Sequence, residues 1–181
     1  MCKRGSIEIV EAWREVKIPE RCERLDLTTH VADHAGGDRG ARALAEAIRH
    51  HPSLVEVDLS GHGIGDEGAR ELADALRSNT VLKILDLYRN HIGDEGARAI
   101  ADALLVNATL TRVDLSWNML GADAARALAR ASAGSRTLTW LSLAYNALGD
   151  DGAGALGPAL MTNDALEHLD VAGCNVGELG S

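Results

Sequence analysis

Arg89, Trp117 and Tyr145 stand 28 residues apart. A fixed spacing of that kind sets equivalent positions side by side in successive copies of one folded unit. Trp, Tyr and Arg are the side chains that most often carry binding energy at protein interfaces, so this column offers docking rather than reaction chemistry. Tyr88 and Trp140 fall in the same part of the unit, which gathers four of the five Trp and Tyr residues of the chain. Two readings stand: the rings receive a protein or peptide, or they pack only on one another across strands. The first is preferred, because a large solvated aromatic patch is otherwise sticky. The candidate partner-binding residues are Tyr88, Arg89, Arg112, Trp117, Trp140 and Tyr145, with Asp86 and Asp114 beside them.

Those two aspartates belong to a second column, Asp26, Asp58, Asp86, Asp114 and Asp170, interrupted by Ser142. Carboxylates on adjacent strands repel, which raises their pKa values. The column either steers in a basic segment of a partner or serves local hydrogen bonding, and the second reading is favoured. His30 and His62, with His34 nearby, offer three imidazoles for zinc. The favoured expectation is that His30 and His62 substitute for an asparagine and that no metal is held. His50 and His51 read as dipole complement and exposed loop at a helix end. The sequence shows no phosphate loop, no nucleophile with a base and no isolated carboxylate pair, so neither enzyme activity nor a cofactor is expected.

The elements that position these residues follow from the repeat. Leu54, Leu82, Leu110, Leu138 and Leu166 each open a phrase of leucine, two residues, aliphatic, one residue, aliphatic, two residues, then usually asparagine, as in Leu82 to Asn90. Aliphatics two apart, such as Leu85 and Leu87, point one way from a short strand. A Gly-Asp pair follows in Gly65-Asp66, Gly93-Asp94 and Gly149-Asp150, where Asp suits a helix N-cap. The next stretch, such as Ala69 to Leu76, carries apolar residues at helical spacing. Asn79, Asn107 and Asn163 then sit where a left-handed helix stop is expected. Asn90, Asn118 and Asn146 are expected to form an internal ladder. Arg42, Arg70 and Arg98 have acids four residues on, the spacing of weak helix-surface pairs.

The expected fold is α/β: a right-handed βα solenoid, its parallel sheet on the concave inner face and its helices on the convex side. Helices need about 10 Å of width and strands about 4.8 Å, so such a stack curves. Residues 1–21 read as an N-terminal cap segment. Residues 22–181 read as the repeat domain, five full repeats plus a sixth strand and loop without a helix. That end is expected either to continue in a longer chain or to pack against another one. The first strand, 22–27, lies 32 residues before the next, which puts four extra residues in the loop 28–37.

The net charge of −9 argues against nucleic acid as the ligand. No apolar run approaches the ~20 residues of a membrane span, and no signal peptide is visible. Cys22 and Cys174 fall at opposite ends of the stack, too far apart to bridge. Reduced thiols and a cytoplasmic setting are therefore expected.

The phrase Leu-x-x-Leu-x-Leu-x-x-Asn-x-Ile/Leu-Gly-x-x-Gly-Ala-x-x-Leu/Ile-Ala-x-Ala-Leu, 28 residues per copy over 22–177, resembles the leucine-rich repeats of the ribonuclease-inhibitor type. Similar repeats occur in ribonuclease inhibitor, NOD-like receptors, the Ran GTPase-activating protein and tropomodulin. The resemblance implies a horseshoe that binds protein through its concave face and loop rims. The leading expectation is a protein-interaction scaffold or recognition module. The alternatives are a regulatory repeat module, as a GTPase activator or the sensing part of an immune receptor, and a structural subunit of a cytoskeletal assembly.

Overall fold

A computed structural model describes residues 8–10, 15–27 and 36–177, the first of these by backbone only. Two short strands, β1 (Glu8–Val10) and β2 (Glu15–Lys17), pair antiparallel, and β2 packs on the first helix. Six strands then alternate with five helices: β3 (Arg24–Asp26), α1 (Gly37–Ile48), β4 (Glu56–Asp58), α2 (Asp66–Leu76), β5 (Ile84–Asp86), α3 (Asp94–Leu104), β6 (Arg112–Asp114), α4 (Ala122–Gly134), β7 (Trp140–Ser142), α5 (Gly149–Thr162) and β8 (His168–Asp170). The six strands form one parallel sheet in chain order, and each helix packs on the next. This is the expected α/β solenoid.

The register carries the period. Arg24 pairs with Glu56, 32 residues on, and thereafter Glu56, Ile84, Arg112, Trp140 and His168 lie abreast at 28. The middle residue of each strand from β3 to β7 points inward and is buried: Leu25, Val57, Leu85, Val113 and Leu141. Helix residues such as Leu72, Ile100 and Leu128 close the same core, with alanines where helices meet. At β8 the equivalent Leu169 is only half-buried.

The asparagine ladder forms as the spacing implies. The Asn90 amide donates to the Leu59 and Leu87 carbonyls, and its oxygen accepts the His62 and Ile64 backbone N–H groups. Asn146 repeats the pattern in full, and Asn118 donates to Leu87 and Leu115 while accepting the Ile92 N–H. Cys174 takes the next place, its thiol donating to the Leu143 carbonyl at 3.1 Å. Burial pushes that thiol's pKa up, which keeps the donor proton in place. His62 holds the ladder place in the copy before Asn90 and is buried, with Nδ1 3.0 Å from the Ser60 carbonyl. His30 and His34 lie outside the described residues, among which no group of three His, Cys, Asp or Glu is placed to hold a metal.

Asn79, Asn107 and Asn163 do not adopt the expected left-handed conformation. They build a second ladder. The Asn107 amide donates to the Leu76 and Asn79 carbonyls, and its oxygen accepts the Thr109 and Leu110 N–H groups that open the next strand. His51 and Ser135 fill the equivalent places, each accepting the N–H of a strand-opening leucine, Leu54 or Leu138. His51 is therefore buried and structural rather than an exposed loop residue. An acceptor aimed forward along the chain satisfies two backbone donors without a left-handed residue.

The Gly-Asp pair also departs from expectation. Gly65 and Gly93 are the N-caps of α2 and α3, and no side chain caps either helix from its own copy. Asp66 instead reaches the next copy, where its Oδ1 accepts the Gly93 and Gly96 N–H groups, both at 2.8 Å. Asp38 does the same for Gly65 and Gly68, and Asp94 for Gly121 and Ala124. Each carboxylate thus satisfies orphan donors at the positive end of the following helix. Ala122 occupies this place in the fourth helix and supplies no carboxylate. There the next helix begins differently, with Leu148 already helical and Gly149 at φ 62°.

This contact crowds Gly96, and where the fourth helix carries Ala124 in its place the bond to Asp94 lengthens to 3.1 Å. Glycine to alanine inside a helix ordinarily gains about 1 kcal/mol. A Cβ at Gly96 would lie 2.7 Å from Asp66 Oδ1 and 2.9 Å from the Ala69 and Ile92 side chains. Gly96→Ala is therefore expected to destabilise the fold by about 1–3 kcal/mol, read by urea denaturation.

The convex arginines pair otherwise than their spacing suggests. Arg42 bridges to Glu67 and Glu71 of the next helix, and Arg98 and Arg126 turn back to Glu95 and Asp123. All are exposed pairs of small energetic weight. Cys22 is disulfide-bonded and Cys174 is a free thiol, which corrects the expectation of reduced cysteines throughout. No helix among the described residues is long and apolar enough to cross a membrane.

Candidate protein-docking rim

Beyond each strand from β4 to β8 the chain turns through a residue in the left-handed region. Gly61 (φ 71°), Arg89 (54°), Trp117 (55°), Tyr145 (54°) and Gly173 (66°) form that column. The N–H of each of the first four donates to the next copy: Gly61 to the Tyr88 carbonyl, Arg89 to Ser116, Trp117 to Ala144 and Tyr145 to Ala172. The conformation is thus imposed by the stacking of copies. Glycine adopts it freely, whereas a bulky residue there costs on the order of 1–3 kcal/mol. Among the described residues the column begins and ends in glycine, with Arg, Trp and Tyr between.

The expense places rings at the surface. Trp117 and Tyr145 stack with centroids 4.9 Å apart and planes at 28°. They remain 50% and 53% exposed, and Tyr88 beside Arg89 is 38% exposed. Met119, two residues beyond Trp117, is 66% exposed and extends the patch. Gly173 leaves room for Tyr145, because a Cβ there would come within 2.6 Å of the ring. A shallow depression of about 310 Å³ is lined by Trp117, Tyr145, Ala147, Gly173 and Asn175, among others.

Trp140 and Arg112 belong to a different group. They lie abreast on β7 and β6, with His168 next on β8. The Arg112 guanidinium sits 3.7 Å from the centre of the Trp140 ring, and the His168 ring stacks on Trp140 at 5.2 Å and 7°. Trp140 thus spends its faces within the sheet, in a cation–π and a ring contact.

The aspartate column lies between the two groups and does local work. Asp86 accepts the Tyr88 N–H at 2.9 Å and the Ser60 hydroxyl at 3.0 Å. Asp58 accepts the Ser60 N–H, Asp114 the Ser116 N–H and hydroxyl, and Asp170 the Ala172 N–H. These bonds hold the chain as it turns toward the rim. Burial raises the Asp86 pKa, the Tyr88 N–H opposes that rise, and Asp114 and Asp58 add to it. An acid whose folded pKa lies above its unfolded value binds more protons when folded, so its penalty is full above the folded pKa and fades as pH falls through it. Asp86→Asn, which keeps an acceptor for Tyr88, is expected to raise the melting temperature at pH 7. The gain should shrink as pH falls into the carboxylate range, as thermal melts across pH will show.

The structure thus brings Tyr88, Arg89, Trp117 and Tyr145 together on the rim and places Asp86 and Asp114 beside them. It groups Arg112 and Trp140 apart, on the sheet. Met119 lies outside the outward columns of the strand, one position beyond the ladder asparagine, where His91, Met119 and Asn175 are exposed too.

A solenoid of repeated βα copies with a decorated rim defines a class. Segments 50–73, 78–101, 106–129 and 134–157 match the family described as Leucine Rich repeat, over half of the chain, and the chain belongs to that family. Among solved structures, it is similar to leiomodin-1 actin-binding site 2, at 27% identity and TM-score 0.65, over 70% of this chain and 76% of that one. It is also similar in fold to the tropomodulin C-terminal domain of Caenorhabditis elegans, at 17% identity and TM-score 0.66, over 73% and 82%. No curated protein sequence matches it significantly.

Proposed function

We propose that this chain is a non-catalytic recognition module that binds a protein through the rim formed by Tyr88, Arg89, Trp117, Met119 and Tyr145. The observation that carries the reading is the left-handed backbone at Trp117 and Tyr145. Glycine would be cheaper there, and the aromatic rings are half-exposed, so the expense yields display rather than core packing. The test is affinity capture from cell extract with the wild type and with Trp117→Gly plus Tyr145→Gly. Loss of a defined set of partners supports the reading; the same partners from both proteins overturn it.

Actin is the second candidate partner, favoured by the likeness to leiomodin-1 actin-binding site 2. Co-sedimentation with filamentous actin and a monomer-binding titration test it, and binding to neither removes it. A cytoplasmic setting goes with this reading and requires that the Cys22 disulfide be absent or tolerated there. Non-reducing mass spectrometry of protein from cells decides that point. The exposed Met161, Leu160 and Val176 beside half-buried Leu169 favour a further contact at the C-terminal end of the stack. Sedimentation velocity of the chain alone shows whether that contact is with a second copy.

A further inference from the structure

We infer that the rim takes an amphipathic α-helix lying across the repeats, with a basic flank turned toward the aspartate column. The inference rests on the docking surface proposed above and adds the form and charge of its occupant.

Spacing is the first argument. Successive rim residues are one strand apart, and the Trp117 and Tyr145 rings are 4.9 Å apart. A helix laid along the rim presents one side chain per turn, about every 5.4 Å. Over the three copies carrying Arg89, Trp117 and Tyr145 the mismatch accumulates to only about 1 Å. An extended chain on the same path repeats a face about every 6.6 Å and falls out of step within two copies.

Hydrogen bonding is the second. The rim N–H groups of Arg89, Trp117 and Tyr145 already donate to the Ser116, Ala144 and Ala172 carbonyls. The sheet beneath is paired strand to strand from β3 to β8. An extended segment over Trp117, Met119 and Tyr145 would lose water from its own N–H and C=O groups and find no backbone partners in exchange. A helix arrives with its backbone already bonded.

Charge is the third. The chain carries −9 overall, and Asp58, Asp86 and Asp114 run along the concave side of the rim. A helix with Lys or Arg on that flank is attracted, and one with acids there is repelled. Arg89 makes no ion pair among the described residues and marks the one point of the rim that suits an acid.

The probe is a display library of random 16-residue peptides, depleted on the Trp117→Gly, Tyr145→Gly protein and selected on the wild type. Selected peptides are expected to carry apolar residues every third or fourth position with Lys or Arg on one flank, and to give helical carbon shifts when bound. A central proline should weaken a selected peptide about 100-fold. Peptides that bind in extended form, tolerate the proline or carry acidic flanks overturn the inference, as does a library that yields none separating the two proteins. If protein capture from extract depends on Trp117 and Tyr145 but the peptides bind extended, the surface stands and the helical occupant falls. If the glycine variant captures everything the wild type does, the surface itself falls.

Discussion

Asn90→Ala is expected to destabilise the fold by about 2–6 kcal/mol, because it strands two backbone donors at about 1–3 kcal/mol each. The Asn90 oxygen accepts the His62 and Ile64 N–H groups, and its amide serves the Leu59 and Leu87 carbonyls, all at a buried site. Typical domains are stable by 5–15 kcal/mol, so the variant is expected to lie near the edge of folding. Asn90→Asp distinguishes the cause. It keeps the acceptor for His62 and Ile64, loses the amide donor and buries a charge. It should therefore recover stability as pH falls, whereas the alanine variant should not. Urea unfolding at pH 7 and pH 5 reads both. An alanine cost under about 0.5 kcal/mol, the size of an ordinary surface change, would contradict the ladder as a mainstay of the stack.

Trp117→Gly is expected to weaken partner binding about 30-fold or more, the equivalent of ~2 kcal/mol, while changing folding stability by no more than about 1 kcal/mol. Glycine relieves the left-handed strain at this position but forfeits the stack with Tyr145 and adds chain entropy to the unfolded state, effects of similar size. Tyr145→Gly should act in the same direction. The double change should cost less than the two singly, because the rings support each other. Arg112→Ala and Trp140→Ala should alter binding much less, since these side chains are spent on one another and on His168. Titration calorimetry beside thermal melts separates binding from folding for each variant. Equal losses from the Trp117 and Trp140 variants would place the interface on the sheet face instead.

How much of this could be read from residue order depends on whether one copy suffices to define a residue's surroundings. The strands, the parallel register and the Asn90 ladder follow from the leucine phrase because the period places each copy against its neighbour. The roles of Asp66 and Asn79 are misread for the opposite reason. Taken within one copy, each looks like a cap for its own helix, but their partners lie in the next copy for Asp66 and in both adjoining copies for Asn79. Ser135 in the Asn79 column is the available signal, since serine is a good acceptor and an uncommon left-handed residue. Likewise Gly61 and Gly173 at the ends of the Trp117 column point to positive φ between them. The grouping of Trp140 with Arg112 and His168 needed ring orientation, which spacing does not carry.

Hydroxyl-radical footprinting of this chain, free and bound to the partner it captures, tests the central claim most directly, because Trp, Tyr and Met are readily oxidised side chains. The account predicts that Tyr88, Trp117, Met119 and Tyr145 become protected together in the complex, while exposed Met161 on α5 keeps its free reactivity. Protection of α5 or the convex helices, with the rim oxidised as fast as before, would contradict it.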